Sequence, residues 1–412
     1  SASYDPDGTI VSYDWNFDGG LWDLEGVGPV QEHTYTVPYP TTTATVKVWD
    51  SEGAIAEKSV VINVHGWYKY YVDTGPNVGG GSSICILGNG QPAVAYFDDE
   101  NDDLKFVSAS SGLTGDWNQP LTLDSEGDVG RYCSLSLIAG KPSVAYADST
   151  NSHIKFIKSS DEFGGEWGMP HFIPTGEPSL RASLVEVGGL PAIAFRFSES
   201  KVLGFARAIN PEGSDWNGPV VVDPQFDSGY LASMQIVNGN PAVAYFNLQQ
   251  ERLKYIRALD QLGNQWGDVI TLDDQNDAWR MLSFCVIDSK PSVAYADAAN
   301  EYVWFTSSSD LNGSTWKVPQ QVSRMKSFSW LALGSIKQEP FVFCEFAPPS
   351  LNLIIANSGE AGSWGSPISF DSGQADFHPS FAYSTELSSA FVSYKGGYYQ
   401  GSDSDLKVAV FR

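Results

Sequence analysis

The chain has 412 residues, of which 13% are aromatic, 40 are glycine and 23 are proline. This composition favours many short strands joined by tight turns, and no apolar run is long enough to span a bilayer. The net charge of −25 argues against nucleic acid or an anionic membrane as a partner and is typical of a soluble extracellular surface, solubility alone being the simpler alternative.

Residues 1–64 are organised differently from the rest. The stretch SASYDPDGTIVSYDWNFDGG is followed by EHTY at 32–35 and then by ATVKVWDSEGAIAEKSVVINV. In its DPDG turn, its Y-x-W-x-F strand, its H-x-Y and its V-x-V-x-D-x-x-G ending, the segment resembles a polycystic kidney disease (PKD) domain. The resemblance implies a small immunoglobulin-like sandwich that serves extracellular proteins as a spacer or binding module. Tyr13, Trp15 and Phe17 alternate as a half-buried strand should.

Two departures from the PKD pattern stand out. FDGG at 17–20 replaces the usual F-G-D-G, and the family's first strand precedes DPDG, where this sequence begins. Either the sequence is part of a longer protein, or the missing strand comes from elsewhere. We expect an incomplete sandwich that lacks its N-terminal strand, and a parent protein that extends upstream.

Acidic turns raise the question of calcium. Some PKD domains bind the ion near DPDG, and the closely spaced oxygens of Asp5 and Asp7, with Asp50, suit it. The alternative is a plain turn in which Gly8 takes a positive φ. The run DDENDD, which begins at Asp98, is the other candidate calcium site, and a solvated loop is its alternative. Calcium is the one cofactor that the sequence indicates.

From residue 65 onward a phrase of about 50 residues recurs. GKPSVAYADSTNSHIKF at 140–156 returns as GNPAVAYFNLQQERLKY at 239–255 and SKPSVAYADAANEYVWF at 289–305. A proline opens the phrase at Pro92, Pro142, Pro191, Pro241, Pro291 and Pro340. A tryptophan recurs at Trp67, Trp117, Trp167, Trp216, Trp266, Trp316 and Trp364. Each unit carries four candidate strands, which describes a propeller blade.

The ends of the repeat region complement each other. The last copy has three strands and stops in DLKVAVF, whereas Trp67 heads a lone strand, WYKYYVD, before the first copy. We expect that N-terminal strand to complete the last blade, which leaves no open sheet edge. The prediction is an all-β chain, with an incomplete PKD-like sandwich at 1–64 and a seven-bladed β-propeller of four-stranded blades at 65–412.

The turn before the tryptophan has a recurring spelling. SSDEFGGEW at 159–167 and SSDLNGSTW at 308–316 read S-x-D-x-x-G-x-x-W. This resembles the Asp-box of sialidases and related propellers, stretched by one residue, which in those families is a folding device remote from the catalytic site. Asp161, Asp260 and Asp310 should accept backbone N–H groups in the turn, and the tryptophan should pack between blades. The repeat also looks like one that is common in secreted or surface-bound proteins of bacteria and archaea.

The four cysteines of the sequence do not predict a metal site. Cys85, Cys133, Cys285 and Cys344 form no CxxC pair and lie in apolar strand patterns, which predicts buried free thiols and leaves a disulfide open.

Catalytic motifs are missing from the sequence: there is no HExxH, GxSxG or phosphate loop. A sialidase resemblance would imply three arginines on a carboxylate, a Tyr–Glu nucleophile pair and an acid Asp. Arg131 and Arg280 precede the first strands of two blades at matched positions, and Arg181 is one position off. With Tyr230 and His378 at the same level, they predict an anion site at the channel mouth. The alternative is that the arginines pair with acidic neighbours.

A polar residue also follows the strand tyrosine by two positions in several copies. These residues are Asp98, Asp148, Asn247 and Asp297. Their recurrence indicates Asx turns that fix a hairpin, since a catalytic carboxylate belongs in one blade only.

The leading functional hypothesis is a non-catalytic adhesion, glycan-binding or scaffold propeller within a larger surface or secreted protein. Its partner would be a glycan or another surface protein, without nucleic acid or membrane insertion. The alternative is a glycan-cleaving enzyme, a glycosidase or polysaccharide lyase, with its site at the propeller mouth. Two carboxyl groups about 5–10 Å apart would mark a glycosidase.

Overall fold

The computed structural model describes residues 8–33, 35, 41–63, 66–111, 115–274, 278–297, 301–324, 330–346, 350–357, 363–372, 377–396 and 404–412. The chain divides into two compact units, Ser1–Tyr68 with Val410–Arg412, and Lys69–Ala409. No helix in the described ranges is long and apolar enough to cross a membrane.

The front segment forms one antiparallel sheet. Its strands are β1 (Ile10–Asn16), β2 (Leu24–Val27), β3 (Thr41–Asp50) and β4 (Ile55–Asn63), in the order β2–β1–β3–β4. Asp14 joins β1 to β3, because its carboxylate accepts a hydrogen bond from the Trp49 indole and pairs with Lys47, both at 3.0 Å. Phe17 is 6% exposed and stacks on Trp15. A second sheet is not among the described residues of this segment, so the sandwich stays a prediction.

Seven further antiparallel sheets follow among the described residues, and they are named sheets 1 to 7 in the chain order of their first strands. The strand before them is β5 (Trp67–Asp73). Sheet 1 holds β6 (Val78–Ile86), β7 (Pro92–Asp98), β8 (Asp103–Ser111), β9 (Asp116–Trp117) and β10 (Leu121–Asp124). Sheet 2 holds β11 (Ser134–Ile138), β12 (Lys141–Asp148), β13 (His153–Lys158) and β14 (His171–Phe172). Sheet 3 holds β15 (Ala182–Val187), β16 (Leu190–Arg196), β17 (Leu203–Arg207) and β18 (Val220–Asp223).

The later sheets repeat this plan. Sheet 4 holds β19 (Tyr230–Val237), β20 (Asn240–Asn247), β21 (Arg252–Arg257) and β22 (Ile270–Asp273). Sheet 5 holds β23 (Ala278–Ile287), β24 (Lys290–Asp297), β25 (Tyr302–Ser307) and β26 (Gln320–Arg324). Sheet 6 holds β27 (Leu331–Ile336), β28 (Glu339–Phe346), β29 (Ser350–Ile355) and β30 (Ile368–Ser372).

Sheet 7 takes its outer strand from the other end of the repeat region. It holds β31 (Ser380–Ser384), β32 (Ser389–Gly396) and β33 (Asp405–Phe411), and its strand order is β31–β32–β33–β5. This is the pairing predicted from the three-stranded last copy.

The first strands of the seven sheets lie side by side. Each contacts the first strand of the next sheet, and β31 contacts β6. A seam serine links neighbours: Ser83 Oγ accepts the Leu135 N–H at 3.0 Å, and Ser380 Oγ accepts the Ile84 N–H at 3.2 Å. Three further serines make the same bond, namely Ser134, Ser183 and Ser283. The hydroxyl thus satisfies an edge-strand donor that no ladder strand pairs.

The second strands form the core of each sheet. Every residue of β7 and β20 is buried, as is every residue of β12 and β24 after the first lysine. Runs such as PAVAYFD read as continuous apolar strands because both faces of the sheet are covered.

The repeated tryptophan packs on the preceding sheet, as the sequence predicts. The Trp216 ring lies 5.9 Å from Phe156 of sheet 2, and its indole N–H donates to the Gly213 carbonyl at 2.8 Å. The same ring pairs are Phe106–Trp167, Phe205–Trp266, Tyr255–Trp316 and Phe305–Trp364. In the turns that resemble an Asp-box, three carboxylates each accept three backbone N–H groups: Asp161, Asp260 and Asp310.

A tyrosine–aspartate hydrogen bond also joins neighbouring sheets. The tyrosine lies in the second strand, and the aspartate lies at or next to the end of the outer strand of the preceding sheet. The pairs are Tyr96–Asp73, Tyr146–Asp124, Tyr245–Asp223, Tyr295–Asp273 and Tyr394–Asp371. Burial, with the hydrogen bond to the carboxylate, raises the pKa of Tyr96 and Tyr146, so the phenol is the donor.

The four cysteines are free thiols. Burial raises the pKa of Cys85, Cys133 and Cys285 to about 12. They are therefore protonated at neutral pH and act as small apolar core residues.

Candidate ligand site where the first strands converge

The first strands surround a cavity of about 260 Å³. The seam position of a sheet is the seam serine, or Ala332 in sheet 6. In every sheet, the residue two positions before the seam position lines the cavity. These ring residues are Gly81, Tyr132, Arg181, Leu231, Met281, Trp330 and His378. The seam position keeps its serine in most copies because it serves the fold, whereas the ring position differs in every copy and is free to serve a ligand.

The backbone at the ring is unusual. Tyr132, Leu231 and His378 have φ values of 53°, 51° and 40°, and Gly81 has a φ of 55°. Side chains larger than glycine rarely adopt this left-handed region, and such strain clusters where a fold positions functional groups.

Arg181 supplies a cation to the cavity. Its guanidinium carbon lies 3.9 Å from the centroid of the Tyr132 ring, so the two side chains stack. Among the described residues, no carboxylate lies within ion-pair distance of Arg181. With respect to the described residues, the guanidinium edge is therefore available to a carboxylate or sulfate that enters the cavity.

Trp330 and His378 line another part of the same cavity. Their rings meet edge to face with centroids 4.0 Å apart. His378 Nδ1 accepts the Gly81 N–H at 2.6 Å, and the Ser82 hydroxyl donates to the His378 carbonyl at 3.3 Å. The hydrogen bond from the neighbouring sheet fixes the orientation of the imidazole ring.

Arg131 is engaged elsewhere. Its Nε donates to Asp128 at 3.0 Å, one terminal nitrogen donates to Asp102 at 3.2 Å, and its guanidinium lies 4.2 Å from the Phe97 ring. This is the pairing with acidic neighbours that the sequence left open as the alternative. Tyr230 precedes ring residue Leu231 and packs on the core between sheets 4 and 5. Neither Arg131 nor Tyr230 lines the cavity.

A one-residue difference separates the arginines. Arg131 and Arg280 precede their seam serine by three residues, but Arg181 precedes Ser183 by two. Arg181 therefore occupies the ring position that Tyr132 occupies in sheet 2. Arg280 lies in β23, but its side chain is outside the described residues.

Sequence reasoning missed five ring residues: Gly81, Tyr132, Leu231, Met281 and Trp330. Counting back two residues from the seam position would have found them, but the importance of that position emerges only from the hydrogen bonds between sheets.

Asp98 holds a hairpin turn. It is 3% exposed, its Oδ1 accepts the N–H groups of Glu100 and Asn101, and its Oδ2 accepts the Asn101 side-chain amide at 3.0 Å. Asp148 and Asn247 make the equivalent bonds, as expected of Asx turns. Within the described ranges no cluster of three metal-ligating side chains occurs. Asp5 and Asp7 lie outside the described residues.

No protein-family model matches the sequence, and no curated protein matches it significantly. The chain is similar to the solved structure of a protein of unknown function from Dyadobacter fermentans, with 13% identity and a TM-score of 0.50, over 84% of this chain and 100% of that one. It is similar to BBS1N in its complex with ARL6DN, with 11% identity and a TM-score of 0.50, over 84% and 95%. It is more weakly similar to the NanB sialidase of Streptococcus pneumoniae, with 9% identity and a TM-score of 0.44, over 90% and 84%.

At such identities a likeness extends to the fold alone. With the eight antiparallel sheets in the described part of the chain, the first two likenesses define the class of the chain as an all-β, propeller-like protein.

Proposed function

We propose that residues 65–412 form a seven-bladed β-propeller that binds an acidic glycan at the mouth of its channel. The chain then acts as a non-catalytic adhesion or scaffold part of a larger extracellular or cell-surface protein. The seven repeat sheets, the completion of sheet 7 by β5 and the contact of β31 with β6 support the propeller.

The observation that carries the binding proposal is Arg181 stacked on Tyr132 in the cavity at the ring. A guanidinium shielded on one face and open at its edge binds a carboxylate well, since charge-assisted bonds are worth about 1.5–3 kcal/mol. Trp330 and the hydroxyl groups of the seam serines supply apolar and polar surface for a sugar ring.

The enzyme alternative needs other groups. A glycosidase uses two carboxyl groups about 5–10 Å apart. Among the described residues that line the cavity there is an arginine, a histidine, a tyrosine and several serines but no Asp or Glu. These are groups for holding a ligand, and they favour the binding role.

The proposal gives residues 1–64 the role of a spacer that binds calcium through Asp5 and Asp7. Calcium that binds the native state alone raises stability by about 2.7 kcal/mol at a hundredfold excess over Kd. Melting in millimolar calcium should therefore occur at a higher temperature than melting in chelator. Identical midpoints would exclude the calcium role.

The experiment for the channel site uses Arg181→Ala, with Arg131→Ala as its matched control. Both variants remove a guanidinium group that precedes a first strand, but the guanidinium of Arg131 forms ion pairs with Asp128 and Asp102. Uronate- and sialate-terminated oligosaccharides are titrated into each protein by calorimetry. Arg181→Ala should weaken binding by about tenfold or more, and Arg131→Ala should leave it nearly unchanged.

Three outcomes contradict the proposal: no acidic glycan binds the wild type, both variants bind alike, or the wild type releases product from the oligosaccharides. Binding of an acidic peptide in place of every glycan would move the partner from glycan to protein.

A further inference from the structure

A second cavity lies in sheet 2, between the turn after β12 and the segment that follows β14. Its volume is about 570 Å³, and its lining includes Asn151, His153, Phe172 and Glu177. The residues that line it are all described, and none of them lines the channel cavity.

This place departs from the other repeats. The outer strand β14 has two residues, where β10 and β22 have four. Phe172 is the strand partner of Lys155, whereas the equivalent positions in sheets 1 and 4 hold Thr122 and Thr271. Pro174 stands where those outer strands end in aspartate. The departures open the cavity and place an aromatic ring at its wall.

Phe172 is exposed but held in place. The residue is 53% exposed, Lys155 Nζ lies 5.3 Å from the ring centroid, and His153 meets the ring edge to face at 5.7 Å. Lys155 is itself fixed by Asp124 and Asp148, at 3.1 and 3.2 Å. The ring is therefore a preorganised aromatic surface, which lowers the entropic cost of binding.

Glu177 offers an oriented carboxylate. Its Oε2 accepts the N–H groups of Ser200 and Glu199 at 2.9 and 3.1 Å, and the Ser200 hydroxyl at 3.2 Å. These bonds, first the one from the Ser200 backbone, lower the pKa of Glu177. Its Oε1 accepts no hydrogen bond from the described residues, so one oxygen of an ionised carboxylate remains for a ligand.

The charges near the cavity favour a cation. Near the cavity the single positive charge of Lys155 is outnumbered by three carboxylates, those of Asp124, Asp148 and Glu177. The whole chain has a net charge of −25. An ionised carboxylate beside an exposed aromatic ring is the chemistry that binds an ammonium group. The net negative field also steers cations toward the protein.

We propose that this cavity binds a sugar that carries a free, protonated amino group. The ammonium group donates to Glu177 Oε1, and the sugar ring lies against Phe172. The cavity volume of about 570 Å³, with the polar side chains of Asn151 and His153 in the wall, fits a sugar ring with hydroxyl groups better than the slender stem of a lysine. The site is independent of the channel.

The test titrates glucosamine oligosaccharides, and the same oligosaccharides N-acetylated, into the full chain. The amine form should bind about tenfold or more tightly than the acetylated form, because acetylation removes the charge. Glu177→Gln removes the charge and keeps the shape, and Phe172→Thr installs the residue of sheets 1 and 4. Each should weaken amine binding by about tenfold or more, and Arg181→Ala should leave it unchanged.

Several results would overturn the proposal. They are failure of the amine form to bind, equal binding of the two forms, unchanged affinity in Glu177→Gln, or an equal loss in Arg181→Ala. Binding of a lysine-rich peptide but not of glucosamine would overturn it in favour of a protein partner. If Phe172→Thr does not fold, Glu177→Gln decides, because its amide oxygen still accepts the Ser200 N–H.

Discussion

The phenol of Tyr146 donates a hydrogen bond of 2.6 Å to Asp124 Oδ2, and the same oxygen lies 3.1 Å from Lys155 Nζ. Asp124 ends the outer strand of sheet 1, whereas Tyr146 and Lys155 belong to sheet 2. Tyr146 is 1% and Asp124 8% exposed. The three groups form a buried polar link between two sheets, in which the lysine and the phenol compensate the desolvated carboxylate.

The tyrosine and the aspartate are replaced together where the link is missing. Phe195 takes the tyrosine position in sheet 3, and Pro174 takes the aspartate position before it. Cys344 takes the tyrosine position in sheet 6, and Ser323 takes the aspartate position before it. A buried carboxylate that lacks its hydrogen-bond donor lowers the stability of the fold. Replacement of the tyrosine therefore favours replacement of the aspartate.

We expect Tyr146→Phe to lower the free energy of unfolding by about 1.5–3 kcal/mol, the range for a hydrogen bond to a charged group. Urea unfolding measures the change. Tyr71→Phe is the control, because Tyr71 is 63% exposed, and should change stability by less than about 0.5 kcal/mol. A Tyr146→Phe protein as stable as the wild type would show that the link is not energetically important.

Much of the fold could be predicted because the same residue types recur at the same positions of each repeat. Proline stands at the start of the second strand in sheets 1 to 6, and tryptophan precedes the outer strand in the same six sheets and begins β5. The strands between them are short apolar runs. The Tyr146–Asp124 link could not be predicted, because its residues are 22 positions apart in different sheets. Their pairing follows only from which sheets are neighbours.

The arginines show the corresponding limit at the site. The matched spacing of Arg131 and Arg280 predicted a shared ligand role, and Arg181 was one position off. Arg131 and Arg181 lie just before first strands β11 and β15, where a shift of one residue changes which surface a side chain meets. That shift places Arg181 in the cavity, while Arg131 meets Asp128 and Asp102.

Asp310 should make the free energy of unfolding depend on pH in the acidic range. Burial alone would raise its pKa, but bonds from the Thr315 hydroxyl and the N–H groups of Ser314, Asn312 and Thr315 lower it to about 2. The folded pKa is below the unfolded value of about 3.9, so this contribution is present above about pH 4 and is lost as the pH falls toward 2. Asp310→Asn should be less stable at neutral pH and should lose less stability between about pH 4 and pH 2 than the wild type.

Unfolding by denaturant at a series of pH values gives, for each protein, the slope of the free energy of unfolding against pH. Equal slopes for Asp310→Asn and the wild type would mean that the turn carboxylate does not contribute to acid sensitivity.

Gly213 is required in its turn for two reasons. Its φ is 66°, and a Cβ there would lie 2.3 Å from Phe156 Cε1 of the preceding sheet. Gly213→Ala should therefore lower stability by about 1–3 kcal/mol, from backbone strain and displacement of the Phe156–Trp216 ring pair. Gly218→Ala is the matched control, because a Cβ at Gly218 meets nothing within 4 Å. Thermal unfolding of both variants should separate them, and equal midpoints would contradict the close approach.

The last prediction concerns β5. A fragment that begins at residue 74 lacks β5, so the edge of β33 loses its partner and Tyr96 and Lys105 lose Asp73. A fragment that begins at residue 65 keeps all of these contacts and differs only in residues 65–73. Because an unpaired edge strand invites association and the buried phenol loses its acceptor, we expect the shorter fragment to aggregate or to unfold at a much lower temperature. Thermal unfolding followed by light scattering compares the two fragments. If the shorter fragment stays monomeric and melts with the longer one, the strand is dispensable and the proposed closure of the seven-bladed propeller is wrong.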